Sequence, residues 1–277
     1  MFKNILLNVS NTDGQEARVH WAINFAKKHK STVRFAYILT PASIPDEVAG
    51  RCASNAYIAE VMEIAREKES VVHTEIEEMC KKNKIPFTWN LVEGDPVERM
   101  TYLSNLCDLC IFSQLNPKHS RNRFLKSSPE TLMFKTGATI LLMPNGQKPK
   151  TIGKRIMVCW KNSRGAIRAV RGASHLFPDA EKIFVLTGTK TDPDGTQAKE
   201  IIDYIKSRGA KASVIEDLGN VNFAKGGGPT ILEETKKHHC DLIVMGGYGH
   251  SRMREMILGG TTRYMLRHME TPIMMAH

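Results

Sequence analysis

Five glycines fall within twenty residues in the stretch VMGGYGHSRMREMILGGTTR, which runs from Val244 to Arg263. Glycine in a regular element costs roughly 0.5–1 kcal/mol relative to alanine, so such a cluster indicates a turn, a close packing contact or a backbone that approaches a ligand. Where a glycine-rich turn leads into a helix, free N–H groups and the helix dipole favour a phosphate. The stretch therefore predicts a phosphate site, while tight turns and a helix C-cap remain the simpler explanation.

The spacing of these glycines predicts two helix entries that face one ligand. Gly246-x-x-Gly249 follows the apolar run DLIVM, nine residues intervene, and Gly259–Gly260 lead into the helix-like segment TTRYMLRHM. In open α/β sheets, ligands bind outside the carboxyl ends of the strands. We expect Thr261 or Thr262 to be the N-cap of the second helix and to present its hydroxyl group to an anion.

Two kinds of charged residue near the glycines are secondary candidates. Lys161 either pairs with phosphate as a point charge or points into solvent. Arg252 and Arg254 either attract an anion or belong to a solvated helix face, and Glu255, three residues after Arg252, supports the second interpretation.

The sequence predicts neither a metal site nor a catalytic site. His238, His239 and Cys240 are adjacent in the sequence, so they point in different directions, and no further spacing completes four ligands. The chain has no Gly-x-Ser-x-Gly elbow, no Gly-Lys-Ser/Thr phosphate loop and no carboxylate pair placed for magnesium. Any hydrolysis of a bound phosphate compound is expected to be slow.

Length and charge narrow the class of protein. The chain has 277 residues, which predicts about two domains, and a net charge of +10. Residues 1–146 hold 18 Lys+Arg and 16 Asp+Glu, whereas residues 147–277 hold 21 and 13. This excess is spread thinly, without the clustered stripe of a nucleic-acid-binding surface. We expect no nucleic-acid partner, no membrane span and, because no secretory signal is visible, a cytoplasmic location.

The cysteines fit that location. Cys107-x-x-Cys110 has the spacing of a redox motif, but no glycine or proline turn separates the two thiols. We expect both cysteines to be buried and structural.

The chain contains an internal repeat. Three segments of the first copy have similar counterparts in the second. KNILLNVSNTDG corresponds to KRIMVCWKNSRG, DLCIFS to DLIVMG, and TLMFKTGATILLMP to RYMLRHMETPIMMAH. The offset is 151 residues between Ile5 and Ile156 but 133 between Asp108 and Asp241, so the first copy carries about 18 extra residues. The segment NGQKPKTIGKR has the composition of a linker. We therefore expect two domains, 1–146 and 151–277.

Each copy alternates short apolar strands with amphipathic helices, which indicates right-handed crossovers and a parallel sheet. Runs such as ILLNV and LIVM are continuously apolar, as strands covered on both faces are. The predicted fold is α/β, with two tandem domains that each contain a five-stranded parallel sheet covered by helices on both faces. The strands expected in the first copy are Ile5–Val9, Val33–Leu39, Phe87–Val92, Leu109–Ser113 and Thr139–Met143.

The pattern Gly246-x-x-Gly249, nine residues, then Gly259 resembles the motif of ATP-binding universal stress proteins. VEGDP at 92–96 and the closing TPIMMAH are also similar to sequences of that family. The resemblance implies two tandem Rossmann-like, adenine nucleotide α hydrolase-like domains. It also implies a stress-response protein that binds ATP, ADP or AMP and acts as a sensor or partner-binding module.

This chain departs from the family pattern at several positions. The family's Asp at the end of the first strand corresponds to Ser10 and to Lys161, and its closing Ser/Thr corresponds to Gly260, with Thr261 directly after it. In the first copy, Ser113-Gln-Leu-Asn116 replaces Gly-x-x-Gly, so side chains intrude where backbone must approach phosphate. We expect only the second copy to bind nucleotide.

The candidate nucleotide-binding residues all belong to the second copy, and they are Gly246, Gly249, Gly259, Gly260, Thr261, Met245, Cys159, Lys161 and Gly188. The resemblance further implies that the last strands, Thr139–Met143 and Ile273–Ala276, pair the two copies as a dimer within the chain. A homodimer of the chain and an unknown protein partner stay open. The alternatives are an interaction module without nucleotide and a weak ATPase.

Overall fold

The structure is a computed structural model that describes residues 2–9, 14–39, 55–114, 132–133, 135–145, 151–188, 192–221, 226–247 and 260–277. The strands of the first half are β1 (Asn4–Val9), β2 (Thr32–Leu39), β3 (Phe87–Glu93), β4 (Leu109–Ser113) and β5 (Thr139–Met143). Its helices are α1 (Gln15–His29), α2 (Asn55–Asn83) and α3 (Pro96–Ser104). The elements follow the alternation predicted from the repeat.

The second half repeats this order. Its strands are β6 (Arg155–Cys159), β7 (Lys182–Gly188), β8 (Ile215–Val221), β9 (Leu242–Gly246) and β10 (Ile273–Ala276). Its helices are α4 (Arg164–Ala173), α5 (Thr196–Ser207), α6 (Gly227–Lys237) and α7 (Gly260–His268), with 3-10 turns at Ser174–Asp179 and Ala212–Val214. The extra length of the first half lies in α2, which has 29 residues where α5 has 12.

The ten strands of the described residues form one sheet in the order β3-β2-β1-β4-β5-β10-β9-β6-β7-β8. The paired strands are parallel except at the centre, where β5 and β10 run antiparallel and Leu142 faces Ile273. The predicted pairing of the last strands is therefore confirmed, and so is the α/β class with a mostly parallel sheet. In each half the chain order reverses beside the first strand, between β1 and β4 and between β6 and β9.

Apolar side chains cover both faces of the sheet because successive residues of a strand point to opposite sides. In β1, Ile5, Leu7 and Val9 belong to one buried cluster and Leu6 to the other. This double coverage explains the continuously apolar strand sequences. No helix among the described residues has both the length and the apolar character that a membrane span requires.

The repeated aspartate has the same structural role in both halves. The Asp108 carboxylate accepts hydrogen bonds from the amides of Lys3 at 2.7 Å and Asn4 at 2.9 Å. The Asp241 carboxylate accepts from the amides of residues 153, 154 and 155 at 3.0, 3.1 and 2.9 Å. Each aspartate thus fixes the start of the first strand of its half, at the edge of the sheet opposite to the carboxyl ends.

Side chains also join the two halves beyond the strand pairing. Lys28 and Asp179 form a salt bridge of 2.7 Å, and the rings of Phe2 and His175 lie 5.3 Å apart between centroids. A Cβ added to Gly172 would overlap Thr139, so α4 lies directly on the first half's last strand. The domain boundaries 1–146 and 151–277 stay our proposal, and residues 146–150 lie outside the described residues.

Candidate functional site

The candidate site lies at the carboxyl edge of β6, β7 and β9. Cys159 and Met245 are register partners at the ends of β6 and β9, and Gly246 pairs with Ala276 of β10. Gly188 ends β7. Because parallel strands share one carboxyl edge, these four predicted residues lie on the same edge of the sheet, next to the point where strand order reverses.

Close packing accounts for Gly246. A Cβ at this position would lie 2.5 Å from the backbone nitrogen of Ala166, in the first turn of α4. Ser163 begins that turn, since its side chain accepts a hydrogen bond of 3.3 Å from the Ala166 amide. The sequence suggested a phosphate approach here, whereas the structure shows helix–strand contact. Gly246 therefore has a reason to be glycine that needs no ligand.

Gly247 is also explained by packing. A Cβ on this residue would lie 2.6 Å from the sulfur atom of Met133, in the first half. The Gly247 amide donates a hydrogen bond of 3.0 Å to the carbonyl oxygen of Ala276, which continues the contact between β9 and β10. The first part of the glycine motif thus sits at the junction of the two halves.

The second glycine cluster leads into α7, which begins at Gly260. Because Gly260 is already helical, Thr261 and Thr262 lie inside the helix, and neither is the N-cap that the sequence suggested. The Thr261 side chain points to α6 instead, because its Oγ1 lies 2.5 Å from a Cβ built on Gly227. Gly260 is different: among the described residues, no atom lies within 4 Å of a Cβ built there. Gly249 and Gly259 lie outside the described residues, as do Arg252 and Arg254.

The glycine run at 226–228 was not expected to contact the motif. Gly227 and Gly228 are the first residues of α6. A Cβ on Gly228 would lie 2.5 Å from the ring of Tyr264 on α7. The run therefore lets α6 and α7 approach each other closely. In the sequence, the three consecutive glycines were the feature that could have indicated this contact.

Basic groups gather at the same edge of the second half. Arg168 Nη1 donates a hydrogen bond of 2.5 Å to the carbonyl oxygen of His277, and Lys161 lies two residues beyond β6. Burial lowers the pKa of His277, and the positive charges of Arg168 and Arg164 lower it further. The 151-residue offset places Ser10, Asp13 and Ala17 at the positions of Lys161, Arg164 and Arg168. At these three positions, only the second half carries positive charge.

Buried groups near the edge are structural. The Asp192 carboxylate accepts hydrogen bonds from the amides of Gln197 at 3.0 Å and Ala198 at 2.8 Å, and so holds the N-terminus of α5. Burial raises the pKa of the Cys159 thiol. Sequence reasoning missed Asp192, since a lone aspartate in a loop carries no distinctive signal.

The cysteine pair and the histidine pair show no ligand geometry among the described residues. Cys107 and Cys110 are buried and free of disulfide bonds, and burial raises the pKa of Cys107. His238 packs against Phe184, with 4.4 Å between ring centroids, and lies 3.3 Å from a Glu234 oxygen. Within the part of the chain that the structure describes, no three His, Cys, Asp or Glu residues form a group that could hold a metal ion.

Comparison with known proteins shows which family and which solved structures this chain resembles. Residues 153–277 match the model of the universal stress protein family. A universal stress protein from Archaeoglobus fulgidus DSM 4304 is similar in structure, with a TM-score of 0.74, 16% identity, and coverage of 98% of this chain and 94% of that one. A functionally unknown protein from Pseudomonas aeruginosa PAO1 has a TM-score of 0.62 at 13% identity, covering 99% and 92%.

Among curated proteins, none matches the sequence. The two structural similarities extend over both halves, so the first half shares the fold although the family model covers only the second. Residues 153–277 form a domain that matches the universal stress protein family.

Proposed function

We propose that the second half binds one adenine nucleotide (ATP, ADP or AMP) at the carboxyl edge of β6 and β9. In this proposal the protein is a nucleotide-dependent sensor or partner-binding module of the stress response. The match of residues 153–277 to the universal stress protein family supports it, together with the Gly-x-x-Gly-(x9)-Gly pattern of this half.

One observation carries the proposal: the N-terminal turns of α6 and α7 meet at the carboxyl edge of the sheet. Thr261 and Gly227 are in contact there; α6 begins at Gly227, and α7 is described from Gly260 onward. The first backbone N–H groups of a helix have no partner within it, and the helix dipole adds partial positive charge. Two such ends side by side favour a polyanion such as the phosphate chain of a nucleotide.

The charge distribution supports an anionic ligand at this place. Lys161 follows β6, and Arg164 and Arg168 lie in the first turns of α4. Basic groups around one edge raise the local concentration of anions and speed their association. The corresponding positions in the first half carry no Lys or Arg.

Gly260 is the glycine of this site that distinguishes a role in ligand binding from a role in packing. Gly246 and Gly247 are required by contacts within the protein, so they are compatible with either function. Gly260 is exposed, no atom of the described residues lies within 4 Å of its added Cβ, and it lies in a helix, where alanine is more favourable. A backbone that a ligand must approach explains a glycine at this position.

The first half is proposed not to bind nucleotide. Gln114 stands where Gly247 stands in the second half, and its side chain makes protein contacts. The family's first glycine is replaced by Ser113. One nucleotide per chain follows from this difference.

An interaction module without nucleotide is the second candidate. The observation that favours it is the packing of Gly246 against α4 and of Gly247 against Met133, which explains half of the paired glycines structurally. Mass spectrometry of small molecules released from the purified protein distinguishes the two candidates. Recovery of an adenine nucleotide supports the first, and calorimetry without binding of ATP, ADP or AMP supports the second.

A further inference from the structure

Gln114 of the first half bonds to the last helix of the second half. Its Nε2 donates to the carbonyl oxygens of Leu266 at 3.2 Å and Arg267 at 3.1 Å. Its Oε1 accepts a hydrogen bond of 3.2 Å from the Asn145 amide, and the Asn145 side chain donates to the Gln114 carbonyl oxygen at 3.0 Å. The carboxamide is therefore oriented by its own half, and its N–H groups are directed at the other.

These bonds satisfy the end of α7. The last four carbonyl groups of a helix have no partner within the helix, and Leu266 and Arg267 belong to the final turn before His268. A carboxamide that donates to two of them restores the missing hydrogen bonds. The C-terminal end of α7 is thus held by a residue 152 positions earlier in the chain.

The opposite end of α7 is the proposed nucleotide site. The helix has nine residues, so its two ends lie about 13 Å apart. Its apolar face is fixed, since Met265 and Leu266 are buried, and its first turn rests on Gly227. A short helix with a packed face moves as a unit, so a shift at Leu266 is transmitted to Gly260.

The repeat shows that this arrangement is asymmetric. The 133-residue offset aligns Gln114 with Gly247 and Met133 with Leu266. Gln114 bonds to Leu266, whereas Gly247 has no side chain and the Met133 sulfur closes over it. Each half therefore contacts the other through equivalent positions. Of these positions, Gln114 of the first half supplies a hydrogen-bonding side chain, whereas Gly247 of the second half supplies none.

We propose that Gln114 is a positioning residue: the half without the glycine motif holds α7 in place and thereby sets the nucleotide affinity of the other half. The inference rests on the proposed function of the second half. It gives the first half a role in that function without a ligand of its own.

The test uses the full chain with Gln114→Ala and Gln114→Glu. Asn83→Ala is the matched control, because the Asn83 carboxamide donates to a helix carbonyl, that of Met79, at 2.9 Å far from the site. ATP affinity is measured by calorimetry, and amide hydrogen exchange is followed in residues 260–277. Gln114→Ala should weaken ATP binding about three- to tenfold and speed exchange in α7.

Gln114→Glu should have the larger effect, since a carboxylate cannot donate and its charge opposes the negative end of the helix dipole. Asn83→Ala should change neither measurement. Unchanged affinity and exchange in both Gln114 variants would overturn the inference. If the wild-type protein binds no ATP, both the proposed function and the predicted effect of Gln114 on ATP affinity are wrong. Faster amide exchange of α7 in the Gln114 variants would then show only that Gln114 holds this helix in place.

Discussion

A Cβ added to Gly165 would lie 2.7 Å from the carbonyl oxygen of Gly247, which joins the first turn of α4 to the end of β9. The same Cβ would lie 3.0 Å from the carbonyl oxygen of Ala276, on β10. Gly246 makes the reciprocal contact with Ala166. Glycines therefore allow α4, β9 and β10, which surround the candidate site, to pack tightly against one another without a ligand.

Gly165→Ala and Gly246→Ala should lower the free energy of unfolding by about 1–3 kcal/mol each, because the new Cβ atoms meet backbone that cannot rotate away. Urea titration of the full chain measures the loss. Gly260→Ala is the control, since no atom of the described residues lies within 4 Å of its Cβ. It should leave stability unchanged or raise it by up to about 1 kcal/mol through helix propensity. Equal stability of all three variants would contradict the packing described.

Gly260→Val tests the ligand role of a glycine that packing does not explain. The variant should stay folded and bind ATP at least tenfold more weakly, because a branched side chain at the first residue of α7 blocks approach of a phosphate. Calorimetry gives the affinity, and circular dichroism verifies the fold. A folded variant with wild-type affinity would remove Gly260 from the site.

Lys161→Asp should weaken ATP binding by roughly 1–3 kcal/mol, and AMP binding by less, because a charge-assisted contact to the phosphate chain is lost. The comparison of the two nucleotides isolates phosphate contact from adenine recognition. Lys211→Asp makes the same charge change at an exposed residue near the start of β8, and it should have little effect. Equal losses for ATP and AMP, or no loss, would place Lys161 away from the phosphates.

Cleavage of the backbone within residues 146–150 should leave the two halves associated. The antiparallel pairing of β5 and β10, the salt bridge between Lys28 and Asp179, and the contact of Gly172 with Thr139 all remain after the cut. Size-exclusion chromatography after protease treatment of an inserted site measures this. Two separately eluting fragments would show that the linker, rather than the shared sheet, holds the halves together.

Stability should fall as the pH drops below about 6.5, the ordinary histidine pKa. Burial lowers the pKa of His29, with Lys28 acting in the same direction, and burial also lowers the pKa of His175. The unfolded chain then binds more protons, so the contribution of these residues is present above the unfolded pKa and is lost on acidification. His29→Phe should flatten the change in melting temperature between pH 7.5 and pH 5.5. An unchanged slope would assign the acid sensitivity to other groups.

The fold could be predicted from the sequence because its determinants are local or repeated. The apolar runs around Ile5 and Ile156 predicted strands, and the repeated Asp108 and Asp241 marked equivalent positions. The pairing of the last strands followed from the family resemblance. The linear pattern could thus specify the elements and their order.

The reasons for individual glycines could not be predicted in the same way. Gly246 is required by α4, about eighty residues earlier in the chain, and Gly247 by Met133 in the other half. Gln114 meets α7 across 152 residues. Thr261 faces α6 because of a glycine run that carries no family motif. Each of these contacts depends on how helices pack on the sheet, which periodicity does not encode.

The most direct test of nucleotide binding is calorimetric titration of the full chain with ATP, repeated with Gly249→Val. Gly249 lies outside the described residues, and it ends the Gly-x-x-Gly turn in the sequence, where a side chain would meet the phosphate chain. We predict saturation at one ATP per chain and no binding by a folded Gly249→Val variant. Saturation at two ATP per chain, or a folded Gly249→Val variant with unchanged affinity, would contradict it.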